Sequence, residues 1–403
     1  MGGGHPVLVV GAGPVGLAAA LALRARGLPV TVAEAAPEGR PRPGSRAIFV
    51  HRESLEHLER MRPGLGWEIA SQGLVWTTKR TFWGARQVYA RTYPATDPAV
   101  LPHSTNLPQA ETERLLQDAC KSAGVELVWD AEVTEVASTA AGVELATASG
   151  RCFTAQYVVA ADGARSSVRR AVGVTMEGSR SQSSFVIVDV DEDPDDPLPL
   201  ERRFHYRHPA VGRRNVLLVP FAGGWRVDLQ CHDSDDPDRF NDPEGVRRWL
   251  AQVMPPRYAG RVRWVSTYRF LQVVASDLAD PRRRVLLVGE AAHLFAPFGA
   301  RGMNSGIADA AAAAAAVGAA LDDPAAAGEA VGEFATRRRI AAVYNRDAAG
   351  AALAHMQARD PATRVRRRAA AELARVSKRA GAWLDTAPYG PRTGPHQQAT
   401  GRY

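Results

Sequence analysis

Hydrophobic and polar residues divide the chain into segments with different periodicities. Predominantly apolar runs predict short strands buried on both faces, at residues 5–10, 29–33, 157–160 and 284–288. Apolar residues recur at helical spacing after the first run and again at 109–123, and in each case a glycine ends the segment. Another helix is predicted after His51, with Ser54 as its candidate N-cap. Buried strands that alternate with helices indicate an α/β fold with a parallel sheet.

A period of two dominates between residues 183 and 274. It occurs in five segments, at 185–190, 203–206, 215–219, 225–230 and 261–270. Residues 74–93 are also β-like and rich in aromatic side chains, which indicates an excursion toward the same sheet. The acidic, proline-rich stretch 189–199 predicts an exposed loop, and after residue 288 the pattern is almost wholly helical. The pattern therefore predicts an α/β framework with an inserted β-sheet domain and a helical C-terminus.

Composition narrows the class of protein. The 403 residues suit two packed domains or one large one, and 45% hydrophobic and 23% charged residues are ordinary for a globular protein. Three widely spaced cysteines indicate neither a disulfide framework nor a metal site, and a reducing cytoplasm fits them best. The net charge of +7 comes without an aromatic-basic array, so no nucleic-acid partner is expected. No segment reaches membrane-spanning length and the N-terminus does not read as a signal peptide, so no membrane association is expected.

The first strand runs directly into a glycine-rich turn, Gly11-Ala12-Gly13-Pro14-Val15-Gly16. In a GxGxxG turn the glycines allow a tight turn, close approach to a pyrophosphate and close packing of helix on sheet. The helix N-terminus adds unpaired N–H groups that favour a phosphate. Glu34 ends the second strand 18 residues after Gly16 and can accept both hydroxyls of a ribose. These features predict a dinucleotide site, the alternative being a glycine turn that holds no ligand.

Two further glycine motifs follow predicted strands. Asp162-Gly163 comes after the strand at 157–160, and Gly289-Glu290 comes after the strand at 284–288. A glycine-rich loop then leads to a helix that begins near Met303, whose N-terminal dipole favours negative charge on a bound group. Ligands bind outside the carboxyl ends of strands in such sheets, so the three motifs are expected at one edge.

With these three motifs in this order, the chain resembles the single-component flavin monooxygenases of the p-hydroxybenzoate hydroxylase type over roughly its whole length. The resemblance implies a Rossmann-like FAD-binding domain with an inserted β-sheet substrate domain. It also implies roles for the cofactor-binding residues: Gly11, Gly13, Pro14, Val15 and Gly16 at the FAD pyrophosphate; Glu34 at the adenosine ribose; Arg46, Gln109, Asp162 and Gly163 along the cleft; Gly289 and Glu290 at the ribityl chain; and Pro297, Gly302, Met303 and Asn304 near the flavin ring. The family usually has Gly-Asp where this chain has Gly289-Glu290.

The same resemblance implies a reaction. NADH or NADPH docks transiently and reduces FAD, dioxygen adds to give a flavin C4a-hydroperoxide, and an oxygen atom passes to an electron-rich, aromatic small molecule. The substrate is expected between the flavin and the inserted sheet, and its candidate lining is Phe204, Tyr206, Trp225 and Phe298, each of which could equally be core. Tyr206 is also a candidate active-site residue, and the sequence assigns no catalytic base.

The resemblance implies a division of the chain into parts. Residues 1–73, 106–178 and 276–345 are assigned to FAD binding, 74–105 and 179–275 to the substrate domain, and 346–403 to C-terminal helices and a tail. A monomer or a homodimer is expected. The alternatives are an FAD-dependent reductase or dehydrogenase that inserts no oxygen and a non-catalytic flavin-binding protein. A flavin-dependent halogenase is disfavoured because the Trp-x-Trp-x-Ile pattern of such enzymes is missing.

Overall fold

The computed structural model describes residues 5–41 and 44–391. The predicted division of the chain also covers residues 1–4, 42, 43 and 392–403, which lie outside the described residues. The strands are β1 His5–Val10, β2 Val30–Ala33, β3 Phe49–His51, β4 Thr78–Trp83, β5 Arg86–Thr92, β6 Ser104–Asn106, β7 Glu126–Val128, β8 Val133–Ser138, β9 Val143–Thr147, β10 Cys152–Ala160, β11 Met176–Asp191, β12 Glu201–His208, β13 Arg214–Phe221, β14 Gly224–Gln230, β15 Val262–Ala275, β16 Val285–Leu287 and β17 His293–Leu294. The helices are α1 Pro14–Arg24, α2 Arg52–Met61, α3 Leu65–Gln72, α4 Gln109–Ser122, α5 Ser167–Ala171, α6 Asp238–Asn241, α7 Pro243–Val253, α8 Arg301–Asp322, α9 Ala327–Gln357, α10 Pro361–Leu373 and α11 Lys378–Thr386.

The first sheet carries the glycine motifs. Its strands lie in the order β7-β2-β1-β10-β9-β8, and β16 pairs with the second half of β10. The pairs β7-β2, β2-β1, β1-β10 and β10-β16 are all parallel, so the carboxyl ends of these strands meet at one edge. Val7, Leu8 and Val9 have no exposed surface, as expected for a strand that is covered on both faces.

The second sheet has eight strands in the order β17-β15-β11-β14-β13-β12-β4-β5. Its period-two pattern sends alternate side chains to opposite faces. On one face, Trp225, Val227 and Leu229 of β14 pack in a core that also contains Trp249 of α7. The opposite face of β14 carries Arg226, Asp228 and Gln230, which line the cleft described below. Strands β4 and β5 join this sheet because β4 pairs in parallel with β12.

Small residues let the long helices approach each other closely. The alanine-rich α8 packs against α1 and α9, and Ala310, Ala313 and Ala314 are almost fully buried. By length and composition α8 could cross a membrane, so the expectation that no segment reaches that length is wrong for Arg301–Asp322. Two-thirds of its most apolar window (67%) is buried inside the protein, which is the environment of a core helix.

A buried carboxylate in α11 binds side chains of the second sheet and so links the C-terminal helices to it. Asp385 in α11 has no exposed surface. Its carboxylate accepts hydrogen bonds from the ammonium of Lys79, from Arg202 at 3.4 Å and from the Thr81 hydroxyl at 2.8 Å. Two cations and a hydroxyl therefore compensate its burial, and they connect α11 to β4 and β12.

Two local expectations are wrong. The N-cap of α2 is His51, and the hydroxyl of Ser54 inside the helix donates to Asn304 instead. Asp189, expected in an exposed acidic loop, lies within β11 and is 1% exposed. It is buried because its carboxylate accepts hydrogen bonds from the backbone N–H and the hydroxyl of Ser45, both at 2.7 Å.

Candidate active site

A cleft of about 2290 Å³ lies between the edge of the first sheet and one face of the second. This volume exceeds the roughly 300–1,000 Å³ of a pocket for one small molecule, so there is room for a large ligand and a second one. Most residues proposed from the sequence line it: Gly11, Gly13, Pro14, Val15, Glu34, Arg46, Gln109, Asp162, Gly163, Phe204, Glu290, Pro297, Phe298, Gly302, Met303 and Asn304. Gly16, Gly289, Tyr206 and Trp225 lie outside this lining.

The glycine-rich turn between β1 and α1 is closely packed at two of its three glycines. Gly11 has a φ of +100°, and a Cβ there would lie 2.5 Å from the carbonyl oxygen of Ala161. A Cβ on Gly16 would lie 1.9 Å from the carbonyl oxygen of Gly11. At Gly13 a Cβ would meet nothing within 4 Å, since this residue faces the open cleft. The turn therefore presents bare backbone to the cleft at the start of α1.

Glu34 holds the turn in place. Its carboxylate accepts a hydrogen bond from the backbone N–H of Ala12 at 2.6 Å and another from Ala36 at 3.0 Å. Hydrogen bonds to a charged group contribute about 1.5–3 kcal/mol each. The sequence predicts contact of Glu34 with a ligand, whereas the structure gives it a supporting role as well.

Two acidic residues project into the cleft from the other motifs. One oxygen of Asp162 accepts the backbone N–H of Val168 at 3.1 Å, while Oδ1 is shielded from solvent and has no hydrogen-bond partner among the residues that the structure describes. Glu290 follows β16 and is an exposed residue of the cleft lining. Desolvation by the surrounding cleft walls raises the pKa of Glu290, opposed by the charges of His293 and Arg46. Both carboxyl groups are thus placed to bind hydroxyl or N–H donors of a ligand.

The first turn of α8 forms part of the cleft lining. Ala300 adopts the left-handed conformation (φ +53°) before the helix begins, and Gly302, Met303 and Asn304 supply N–H groups that a helix start leaves unpaired. The side chain of Asn304 donates to the carbonyls of Phe49 at 2.9 Å and Ala300 at 2.7 Å. Its oxygen accepts from the backbone N–H of His51 at 2.9 Å. This amide fixes the helix start against β3 and α2.

A buried network of charged side chains contacts the loop that carries the Gly289-Glu290 motif. Asp309 of α8 has no exposed surface, and its carboxylate accepts from Arg338, from the ring of His293 (both 2.7 Å) and from the backbone N–H of Gly289 at 3.1 Å. Burial alone raises the pKa of Asp309, but the charges and hydrogen bonds of Arg338 and His293 outweigh it and lower the pKa to about 2. The network joins α8 and α9 to the loop that carries Gly289.

The far wall of the cleft belongs to the second sheet. Phe185, Phe270 and Phe298 form an aromatic cluster, with ring centroids 5.1–5.9 Å apart, and Phe204 lies on the same wall. Phe298 comes from the loop before α8, so this cluster joins the two sides of the cleft. The wall also holds polar groups, notably Asp228.

Two proposed lining residues lie elsewhere. Trp225 is 1% exposed and sits on the opposite face of the sheet, where its indole N–H donates to Glu192 at 2.7 Å. Tyr206 has no exposed surface; its hydroxyl donates to the carbonyl of Leu384 at 2.7 Å and is 2.7 Å from Nε2 of His355. The expectation that these two residues line a substrate site is not met, because alternation puts Trp225 on the other face and α11 covers Tyr206.

Removing the Tyr206 hydroxyl is expected to affect stability and leave the cleft unchanged. The Tyr206→Phe variant leaves the buried carbonyl of Leu384 without its donor, which costs about 1–3 kcal/mol of the free energy of unfolding. Denaturant unfolding, with flavin content measured alongside, checks this result. Unchanged stability together with weaker substrate binding would contradict it.

Several groups on the cleft wall were not predicted from the sequence, among them Arg226, Asp228 and Gln230. Their signal was present, since β14 alternates apolar residues with these three polar ones. A strand with a polar face usually turns that face to solvent. Only the arrangement of the sheets shows that it turns to an enclosed cleft.

Comparison with known proteins agrees with this geometry. Residues 5–343 match the model of the FAD binding domain family. Over 326 residues the chain is 32% identical to the 6-methylpretetramide 4-monooxygenase of Streptomyces rimosus, which covers 76% of this chain and 54% of that protein. It is 30% identical to the para-nitrophenol 4-monooxygenase of Pseudomonas sp. (strain WBC-3), with 89% of each chain covered. The crystal structure of the p-nitrophenol 4-monooxygenase PnpA from Pseudomonas putida DLL-E4 superposes with a TM-score of 0.76 at 26% identity, covering 98% of this chain and 100% of that one.

The chain spans about half the length of the Streptomyces relative, at 54%, and most of the Pseudomonas one, at 89%. The matched region extends from β1 into α9 and includes all three glycine motifs. The expected α/β fold and the resemblance to flavin monooxygenases are confirmed. The chain belongs to the FAD binding domain family, and FAD is its cofactor.

Proposed function

We propose that this protein is an FAD-dependent monooxygenase that uses NADH or NADPH and dioxygen to hydroxylate an electron-rich aromatic small molecule. The observation that carries this proposal is the continuous cleft, which joins the glycine-rich edge of one sheet to the aromatic wall of the other. A cofactor along the edge would reach a substrate on the wall. Two relatives are named as monooxygenases, one of 6-methylpretetramide and one of para-nitrophenol, and these names support the same reaction class.

The residues at the edge fit FAD. The space beside Gly13 would admit a pyrophosphate next to the N-terminus of α1. The carboxyl groups of Asp162 and Glu290, both in the cleft lining, would accept hydroxyl groups of the cofactor, and Glu34 would accept those of the adenosine ribose while it holds the turn. When bound, FAD supplies hydride acceptance from a nicotinamide and activation of dioxygen.

The chain's own contribution is to position the ring, exclude water and stabilise charge. Phe185, Phe204 and Phe270 would hold an aromatic ring by edge and face contacts and keep water away from it. The N–H groups of Gly302, Met303 and Asn304, at the positive end of α8, would stabilise negative charge on the reduced cofactor. Arg46 and Gln109 would line the cofactor's path, with Gln109 fixed by a hydrogen bond to Glu113 at 2.7 Å.

The remaining assignments belong to the same proposal. The nicotinamide would dock transiently, since a second GxGxxG turn is missing from the sequence. We assign residues 1–73, 106–178 and 276–345 to FAD binding, 74–105 and 179–275 to the substrate domain, and 346–403 to the C-terminal part. A monomer or homodimer in the cytoplasm completes the proposal.

An oxygen-labelling experiment tests the reaction. Purified holoenzyme is first mixed anaerobically with NADPH or NADH, and bleaching of the flavin absorbance is expected. Phenols, with p-nitrophenol among them, are then supplied with NAD(P)H and ¹⁸O₂, and one ¹⁸O atom is expected in the hydroxylated product. Nicotinamide oxidation that gives an unlabelled, reduced product would show a reductase. Flavin that stays oxidised would indicate a non-catalytic flavin-binding protein.

A further inference from the structure

Asp228 lies at the centre of the cleft wall. It belongs to β14, the fourth of the eight strands, and its cross-strand neighbours are the apolar residues Ile187 and Leu217. All three side chains line the cleft. A carboxyl group between two aliphatic side chains is unusual on a wall that is otherwise rich in aromatic residues, because burial penalises its charged form.

The polar residues on either side of Asp228 are already occupied. Arg226, two residues earlier, donates to the hydroxyl of Ser45 and to the carbonyl of Arg46. Gln230, two residues later, accepts from the side chain of Asn215 at 2.7 Å. The Cα atom of each lies about 7 Å from the Cα atom of Asp228 along the strand. Neither side chain is therefore directed to the carboxyl group of Asp228.

The carboxyl group itself lacks a partner within the described part of the chain. Oδ1 of Asp228 is shielded from solvent and makes no hydrogen bond there, while the residue as a whole is partly exposed in the cleft lining. Buried polar atoms are nearly always hydrogen-bonded, and an unsatisfied one marks strain, a catalytic role or a missing ligand. The position of Asp228 on the wall opposite the cofactor edge favours a missing ligand.

The electrostatic surroundings keep this carboxyl group basic. Burial raises its pKa to about 6, the charge of Arg226 lowers it, and the charge of Asp189 raises it. Arg226 is on the same strand and Asp189 is on β11, while the residue that β13 places opposite is Leu217. The group is therefore mostly ionised above pH 7 and is a stronger base than an exposed aspartate.

We propose that Asp228 binds the hydroxyl group of a phenolic substrate and accepts its proton during hydroxylation. This inference rests on the proposed function, and it names a catalytic residue and a substrate class for that cleft. A neutral phenol pairs with an aspartate through a charge-assisted hydrogen bond, whereas a carboxylate at this point of a substrate would be repelled.

During hydroxylation the phenol proton moves to Asp228 and later returns to the substrate. When a ring carbon ortho or para to the hydroxyl takes a hydroxyl group whose oxygen derives from dioxygen, the O–O bond of the reduced dioxygen breaks and its other oxygen leaves as water with a proton from solvent. The electron pair of the phenol's O–H bond moves into the ring. The proton goes to the Asp228 carboxylate, and the phenol carbon becomes a carbonyl. The attacked ring carbon then loses its hydrogen as a proton to water, and Asp228 returns its proton to the carbonyl oxygen, which restores the aromatic ring and the carboxylate. The reducing equivalents come from NAD(P)H.

Ionisation of bound p-nitrophenol tests the proposal without turnover, because its absorbance changes when the phenol ionises. Oxidised holoenzyme is titrated with p-nitrophenol between about pH 5 and pH 9, with no nicotinamide present. In the unaltered protein the bound compound and Asp228 are expected to share one proton, since two negative charges would repel. In Asp228→Asn the amide can donate to the phenolate, so the ionisation constant of bound p-nitrophenol should rise at least about tenfold, one pKa unit.

The matched control is Asp235→Asn. Asp235 is also a partly buried aspartate, but it pairs with Arg214 at 2.6 Å away from the cleft lining, so its loss should leave the ionisation of p-nitrophenol unchanged. Should Asp228→Asn fail to retain FAD, Asp228→Ser undergoes the same titration. Equal ionisation constants in the variant and the unaltered protein would overturn the proposal, as would p-nitrophenol that does not bind the unaltered holoenzyme.

The two proposals can fail separately. An ionisation shift without ¹⁸O in any product would overturn the proposed function and leave the phenol contact of Asp228 standing. Labelled product together with an unshifted ionisation constant would overturn the role of Asp228 alone. A purely structural role for Asp228 would lower the melting temperature of the variant without changing the ionisation of the bound compound.

Discussion

The Gly16→Ala variant is expected to lose both its native fold and its FAD. A Cβ at this position would lie 1.9 Å from the carbonyl oxygen of Gly11 and 3.0 Å from its carbonyl carbon. Both atoms are backbone, so relief requires α1 to move away from the turn that precedes it. The helix cannot move freely because Leu17, Ala18 and Ala19 have no exposed surface. We expect the variant to be largely insoluble, or to show a far lower melting temperature and no flavin absorbance.

Gly13→Ala is the matched control in the same turn. A Cβ at Gly13 meets no atom within 4 Å, and its φ of −74° suits any residue. The protein without FAD should therefore keep its melting temperature. The methyl group would occupy the space that we assign to the pyrophosphate, so FAD affinity should fall. Equal loss of fold in the two variants would contradict this separation of structural and ligand-facing glycines.

The Asp309→Ala variant is expected to lose about 3–5 kcal/mol of the free energy of unfolding, because it leaves the largely buried guanidinium of Arg338 without its counter-charge and with only the carbonyl of Ser305 as a partner among the described residues. That side chain is 12% exposed and would lose its 2.7 Å contact. Flavin retention should also fall, since Asp309 accepts the backbone N–H of Gly289 in the third motif. Denaturant unfolding with flavin absorbance as a second signal measures both effects. Glu333→Gln on α9, which removes the exposed pair with Arg337, should change stability by less than about 1 kcal/mol.

The contribution of Asp309 should also depend on pH. Its pKa is about 2 in the folded protein and about 3.9 in an unfolded chain, so the folded state binds fewer protons in this range. The stabilisation is fully present above about pH 4 and is lost as the pH falls toward 2. The difference in stability between Asp309→Ala and the unaltered protein should therefore shrink in acid. A difference that stays constant between about pH 5 and pH 2 would contradict this account.

Local sequence patterns predicted the framework well. The glycine-rich turn with Glu34, the Asp162-Gly163 motif and the Gly289-Glu290 motif each follow an apolar strand, and parallel strands must bring their ends to one edge. The five segments with a period of two are all strands of the second sheet. The sequence patterns of strands and turns extend over only a few residues, so these elements can be predicted without knowledge of the rest of the fold.

Contacts between segments that are far apart in the sequence could not be predicted from these local patterns. The pattern at 189–199 is acidic, but the partner of Asp189 is Ser45, 144 residues away. Tyr206 is covered by a helix that begins at Lys378. Alternation shows that Trp225 and Asp228 lie on opposite faces of β14, but it does not show which of the two faces meets the cleft.

The sequence by itself determined the edge to which we assign the cofactor, because the chemistry of each glycine turn is encoded in adjacent residues. The tertiary structure alone decided the opposite wall. There, the pairing of β11, β13 and β14 places Asp228 between Ile187 and Leu217, and the packing of α7 on the other face turns its carboxyl group toward the cleft. Partial burial and the lack of a hydrogen-bond partner among the described residues, which make this aspartate a candidate base, are properties of that packing and cannot be read from one strand.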